Sequence, residues 1–193
     1  MAVTPKILAF SGSSREGSYN GRLLEVAVEG ARAAGAEVTV VNLRKLRLPL
    51  FDEDLERIEG LPEGARELKD LMIAHQGLLI ACPEYNSSIT PALKNAIDWA
   101  SRPVVSEPPL ACFAGKIAAI MSASPGGLGG LRGLVHVRAI LSNIKVLVIP
   151  DQVAVGEAQR AFHPEGGLKN KEQQRIVEGL GAKIADMIRR LSD

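Results

Sequence analysis

The chain has 193 residues, a formal charge of +1, 46 % apolar and 23 % charged residues, a balance that suits an ordinary globular domain with a sizeable core. Near-neutral charge argues against the basic face of a nucleic-acid binder and against the strongly acidic surface of an electron carrier. Two cysteines, Cys82 and Cys112, stand in apolar stretches at a spacing that matches no zinc or redox motif, and His75, His136 and His163 form no HxxxH or HExxH pattern. Buried thiols in a reducing compartment and no metal centre are therefore expected. Residues 1–6 carry no apolar signal region and no apolar run could span a bilayer, so the expectation is a cytoplasmic protein with no membrane or nucleic-acid partner.

Residues 6–10 (KILAF) read as a strand. Residues 22–34 read as a helix, with Leu23, Leu24, Val26, Ala27 and Ala31 on one stripe and Gly35 as its stop. EVTVVNL (37–43) is a second strand, rich in β-branched residues. Residues 44–61, with Pro49, Phe51 and a run of acids, read as irregular; Pro62 then opens a helix through about residue 74. GLLIAC (77–82) is apolar throughout, as a strand covered on both faces should be. Thr90 and Pro91 open a helix to about residue 101, and the three prolines of 101–109 make a loop. KIAAIM (116–121) is a strand, 130–141 a helix, KVLVI (145–149) a strand, 151–168 irregular, and 170–191 an amphipathic helix.

Five short strands alternating with helices predict parallel strands joined by right-handed crossovers, as one domain over 1–193. The loop after the first strand, SGSSREG, has its glycines five apart and fails GxGxxG; Asn42, not an acid, stands near the end of the second strand; and Ser18 after Gly17 fails GxxxxGK[ST]. The strand order expected is therefore 2-1-3-4-5, a flavodoxin-like α/β three-layer sandwich with helices on both faces of a five-stranded parallel sheet. In that order the loops leaving strands 1, 3 and 4 converge on one crevice.

Each of those loops is unusual. The first offers hydroxyls at Ser11, Ser13, Ser14 and Ser18, the Asn20 amide and a helix N-terminus, with Arg15 as its cation and no lysine. That suits a monophosphate held mainly by neutral donors, although a serine-rich turn with a helix cap would read the same way. The second, PEYNSS, supplies a ring at Tyr85 and donors at Asn86; Tyr85 could equally pack on the rim, and Glu84 could be a solvated charge or a helix cap. The third, SASPGGLGG, has four glycines, which let a flat ligand approach the backbone or simply make a flexible tip.

GSSREGSYN (12–20), PEYNSSITPALKNAIDW (83–99), GK (115–116) and SASPGGLGGLR (122–132) resemble, in order and spacing, the NADPH-dependent FMN reductase family, which includes NAD(P)H:quinone reductases and bacterial reductases of chromate and azo compounds. The resemblance implies bound FMN, with Ser11, Ser13, Arg15, Ser18, Tyr19 and Asn20 about its phosphate. Pro83, Glu84, Tyr85 and Asn86 would line the isoalloxazine, and Ser122, Pro125, Gly126 and Gly127 its other edge. It implies no catalytic side chain, because the flavin N5 carries the chemistry, with NADPH or NADH as co-substrate. Ping-pong transfer to a small-molecule acceptor follows: a quinone, chromate, an azo or nitro compound, or free flavin. A homodimer or homotetramer is implied, with residues 93–102 in the contact and Trp99 either there or in the core. At ~0.3 kcal/mol per atom, about thirty heavy atoms give roughly 9 kcal/mol, near or below micromolar dissociation. Arg15 and Arg102 are candidates for a 2′-phosphate. The rivals are a flavodoxin-type carrier and a regulatory flavin binder without NAD(P)H turnover; a low-molecular-weight phosphatase would need a cysteine, and 11–20 contains none.

Overall fold

The computed structural model describes residues 3–192. Five parallel strands form the main sheet: β1 (Lys6–Ser11), β2 (Glu37–Val41), β3 (Gly77–Ala81), β6 (Ile117–Ala123) and β7 (Leu147–Val155), in the order β2-β1-β3-β6-β7. Between them lie α1 (Tyr19–Ala33), α2 (Glu53–Glu59), α3 (Glu63–Ala74), the two-stranded hairpin β4 (Glu84–Tyr85) and β5 (Ser88–Ile89), α4 (Pro91–Ala100), α5 (Leu131–Asn143), α6 (Ala158–Ala161) and α7 (Lys171–Ser192). With the hairpin set aside, this is the expected 2-1-3-4-5 order.

The layers follow from alternation along the strands. Ile7, Ala9, Leu79, Ala81, Ala119 and Met121 face one core, filled from α1 and α7 by Leu23, Ala27, Val177 and Ile184. Leu8, Phe10, Leu78, Ile80, Ala118 and Ile120 face the other, filled from α3, α4 and α5 by Leu68, Met72, Leu93, Ala96 and Leu134. Helices α1 and α7 meet almost backbone to backbone, because a Cβ on Gly30 would lie 2.0 Å from the Glu178 carbonyl oxygen and one on Gly181 2.0 Å from that of Ala27.

Several expectations need correction. Helix α1 begins at Tyr19, three residues before the expected start at residue 22. The stretch 44–61 contains α2, whose N-cap Asp52 accepts from Asp54 N at 2.7 Å and Leu55 N at 3.2 Å. The last strand does not stop at Ile149 but runs through Pro150 to Val155. It does so because the β6–β7 register shifts between Ala118 and Ile120, which pair with Val148 and Gln152. Proline tolerates such an irregularity on an edge strand, where its missing N–H costs no ladder bond. Arg138 serves the carbonyls there, donating to Val148 O at 3.2 Å and Ile149 O at 2.9 Å, with Gln152 Oε1 as a further acceptor. Trp99 is fully buried; its Nε1 donates to Pro49 O at 2.8 Å and its ring meets Phe51 edge-on, so it anchors residues 49–51 within the chain.

Candidate functional site

The loops after β1, β3 and β6 lie together at the carboxyl end of the central strands, held by bonds between them. Gly12 N donates to Ala81 O (2.9 Å), and Gly12 O accepts from the Thr90 hydroxyl (2.6 Å). The same Thr90 oxygen caps α4 by accepting from Leu93 N (3.2 Å). A Cβ on Gly12 would stand 2.8 Å from Leu93 Cβ, so the first loop sits flush on α4. Asn20 ties this loop to the third: Nδ2 donates to Ala123 O (2.7 Å) and Oδ1 accepts from Ala123 N (3.0 Å). Asn20 thereby acts as a positioning residue that joins the first loop to the third.

Within the first loop Ser11 Oγ accepts from Ser13 N (3.2 Å) and Ser13 Oγ from Arg15 N (3.3 Å), two short-range bonds that curl the chain into a cradle. Ser18 is the N-cap of α1, nearly buried, and its hydroxyl makes no capping bond. The first-turn donors of a fifteen-residue helix, with no acid in that turn, remain for an anion. Tyr19 stacks on Phe162 at 6.2 Å and 8° between planes, and the Arg15 guanidinium lies 5.3 Å over the Tyr19 ring.

The second loop is the β4–β5 hairpin. Its two central residues, Asn86 (φ 50°) and Ser87 (φ 67°), are both left-handed, the geometry of a tight two-residue turn that normally asks for glycine. The turn leaves Tyr85 57 % exposed at the rim, while Pro83 behind it is buried. Glu84 is otherwise engaged. Its Oε2 accepts from Gly133 N (2.9 Å) and its Oε1 from Arg132 Nε (3.3 Å), so its carboxylate caps α5 and does not line the crevice. Cys82, just before this loop, is fully buried, and burial pushes its thiol far up, which makes it inert.

In the third loop the strand continues further than the sequence indicates. Ser122 lies inside β6, is fully buried, and its Oγ has no hydrogen-bond partner. A Cβ on Gly130 would come within 2.0 Å of that oxygen, so Ser122 points beneath the start of α5 and not into a loop edge. Pro125, Gly126 and Gly127 are exposed, with open space over Gly127 and only Ser124 Oγ, 3.8 Å away, over Gly126. The loop is strapped from below: Ser124 N donates to Val155 O, Ala158 N to Ser124 O, and a Cβ on Gly156 would be 2.5 Å from Gly127 O. Thus Ser11, Ser13, Ser18, Tyr85, Asn86, Gly126 and Gly127 lie on the three loops at the carboxyl end of the sheet, whereas the side chains of Asn20, Glu84 and Ser122 turn to Ala123, α5 and Gly130. Thr90, Phe162 and Gly156 were missed as site elements: Thr90 reads only as a helix cap, and the others act across long sequence separations.

A cleft of about 1040 Å³ opens beside the first loop, between α1 and β2. It shares Ser11, Ser13, Arg15 and Ser18 with that loop but touches neither 83–88 nor 122–130, so it adjoins the crevice without being it. The crevice itself suits FMN. Its first loop has neutral donors and a helix terminus for a phosphomonoester, its third a side-chain-free wall for a flat ring, and its second an aromatic rim.

Comparison with known proteins agrees. The family model described as NADPH-dependent FMN reductase matches residues 5–160. An NAD(P)H-dependent FMN reductase of Pseudomonas aeruginosa is 35 % identical over 187 residues, 96 % of each chain. A quinone reductase of Escherichia coli is 35 % identical over 169 residues, 86 % of each. The solved flavoenzyme NAD(P)H:(acceptor) oxidoreductase of Paracoccus denitrificans superposes with a TM-score of 0.81 at 25 % identity, covering 97 % of this chain and 98 % of that one. With the fold, the three loops and these matches in agreement, the chain belongs to the NADPH-dependent FMN reductase family, as a flavodoxin-like oxidoreductase with FMN as cofactor and NAD(P)H as electron donor.

Proposed function

We propose that the whole chain acts as one FMN-binding unit that passes electrons from NAD(P)H to a small-molecule acceptor, with quinones first and chromate, azo or nitro compounds and free flavin as further acceptors. The observation that carries this reading is the convergence of three loops whose donors and glycine wall are open at the carboxyl ends of β1, β3 and β6. The name of the E. coli relative supports the choice of quinones. When bound, FMN would supply the redox chemistry between NAD(P)H and the acceptor, in the ping-pong order the kinetic test below examines.

The chain's own residues bind and orient. Ser13, Ser18, Arg15 and the first-turn N–H groups of α1 hold the phosphate. The backbone of 83–86 and of Pro125, Gly126 and Gly127, with Tyr85 at the rim, would hold the ring. Backbone N–H groups of 83–88 stabilise negative charge that develops beside them, as donors fixed in advance do. Tyr85, exposed on the rim, leaves one face of the ring accessible to each substrate in turn. With both cysteines buried and Cys82 held as a neutral thiol, this reading gives the protein position and charge and no covalent step.

The reading places the enzyme in the cytoplasm as a homodimer or homotetramer; no helix among the described residues is long and apolar enough to cross a membrane. Initial rates measured while NADPH and a soluble benzoquinone are both varied test the cycle. Parallel double-reciprocal lines are expected. Intersecting lines would mean that both substrates bind before any electron moves, and would overturn it.

A further inference from the structure

We propose that the cleft between α1 and β2 binds the adenosine-2′-phosphate half of NADPH, with Arg44 and Arg47 gripping the 2′-phosphate. This rests on the reductase reading above and adds a nucleotide subsite to it. Size is the first argument: about 1040 Å³ is room for a nucleotide half and far more than an inorganic anion needs. The floor is apolar, from Leu24, Val28, Val40 and Val41, with Val40 53 % exposed, a surface fit for a purine face.

Charge is the second. Arg15, Arg22, Arg32, Arg44, Lys45 and Arg47 line the cleft against the acids Glu16, Glu25 and Glu29. That local excess of positive charge is larger than the +1 of the whole chain, so the remainder of the molecule is net negative. Among the described residues only Arg44 of the six forms an ion pair, with Glu16 at 3.1 Å. Both partners are well exposed, so a phosphate dianion displaces Glu16 at little cost.

The third argument is that the cationic segment is built. Leu43 and Leu46 are buried while Arg44, Lys45 and Arg47 face outward. Arg44 N donates to Asn42 Oδ1 (3.0 Å), Lys45 N to Asn42 O (3.0 Å), and Arg47 takes the left-handed conformation at φ 49°. From below, a Cβ on Gly64 would lie 1.9 Å from Leu46 O, so α3 clamps the segment in place.

Topology places this segment beside the first loop. Strands β1 and β2 pair with Phe10 opposite Val41, which sets Asn42 next to Ser11. Arginine's planar fork of donors suits a phosphate dianion. Arg44 and Arg47, with Lys45 between them, put two such forks directly after β2. Arg102 is unavailable for that role, since its Nε donates to both Glu56 carboxylate oxygens at 2.9 and 2.8 Å.

The test is calorimetric titration of the FMN-loaded protein with 2′,5′-ADP and with 5′-AMP, in the wild type and in Arg44→Ala/Arg47→Ala. Both residues are exposed, so the variant should fold, and Arg44→Lys/Arg47→Lys is the charge-keeping control. The wild type should bind 2′,5′-ADP roughly ten to a hundredfold more tightly than 5′-AMP, as loss of charge-assisted bonds implies. The alanine variant should lose that preference, and the KM ratio of NADPH to NADH should rise with it. Equal affinity for the two nucleotides in the wild type, or a preference that survives in the alanine variant, would overturn the subsite. Failure of the wild type to bind FMN, or of NADPH to bleach it, would instead overturn the reductase reading.

Discussion

The two ends of the central sheet put their polar groups to different uses. Toward the amino ends the buried polar side chains bond mostly to carbonyls and to one another, with Arg66 Nε and Glu107 Oε2 left without a hydrogen-bond partner. His75 Nδ1 meets Leu71 O at 2.6 Å, its Nε2 meets Thr39 Oγ1 at 2.8 Å, and Lys116 donates to the His75 carbonyl. Lys69, 2 % exposed, donates to Arg102 O (2.8 Å) and pairs with Glu107 (3.0 Å), which Arg66 also holds (2.6 Å). At the carboxyl ends Asn20 and Thr90 bind their loops together, while the Ser18 hydroxyl makes no capping bond and Gly126 and Gly127 face open space. Paired buried groups hold the fold, whereas the free donors of the first loop and the bare backbone of the third face the crevice. Mutations should therefore separate by end, into those that alter stability and those that alter FMN affinity.

Lys69→Met makes the sharpest test of the first class. It leaves two carbonyls and part of Glu107 without a buried partner, and should cost about 3–5 kcal/mol in urea unfolding while FMN affinity holds. Ser13→Glu tests the second: a carboxylate facing a phosphate should weaken FMN binding roughly a hundredfold or more. Its effect on stability should stay within about 0.5 kcal/mol, because Ser13 is only partly covered. Asn20→Ala is built to break the division, since Asn20 links the two loops by two buried bonds. It should cost about 1–3 kcal/mol and weaken FMN as well, read by melting and by fluorescence titration of the flavin. Glu84→Gln keeps an acceptor for Gly133 N but removes a charge from the N-terminus of α5, for about 0.3–1 kcal/mol.

The smallest effect is one of pH. Burial opposes the charge on Glu107, but hydrogen bonds from Lys69 and Arg66 outweigh it and hold its carboxyl below the ordinary range. A depressed carboxyl stabilises the fold fully above its unfolded pKa, about 4.3, and ceases to do so as pH falls through the folded value. Thermal stability should thus decline below about pH 4.3, and Glu107→Gln should flatten that decline.

The fold was legible because its signals are local and redundant. GLLIA is buried at every position, and the α1 stripe falls on one face. The extension of β7 was not, because Pro150 reads as a stop and nothing in the sequence announces a register shift that Arg138 then satisfies. The loops of the site were legible as loops. The directions of their side chains were not: Glu84 turns to α5, Asn20 to Ala123, and Ser122 under Gly130, each through a partner far away in sequence. The cationic cleft was hidden for the same reason, since Arg15, Arg32 and Arg44 meet only when β1 and β2 pair.

The central claim is that the open carboxyl-end loops hold an FMN that a nicotinamide nucleotide reduces. Anaerobic addition of NADPH, and separately NADH, to the FMN-loaded protein, followed by absorbance in the flavin bands, tests it directly. Rapid, stoichiometric bleaching by at least one nucleotide is the expected result. Flavin bands that persist under both nucleotides would make the protein a carrier or a regulatory binder, and contradict the account.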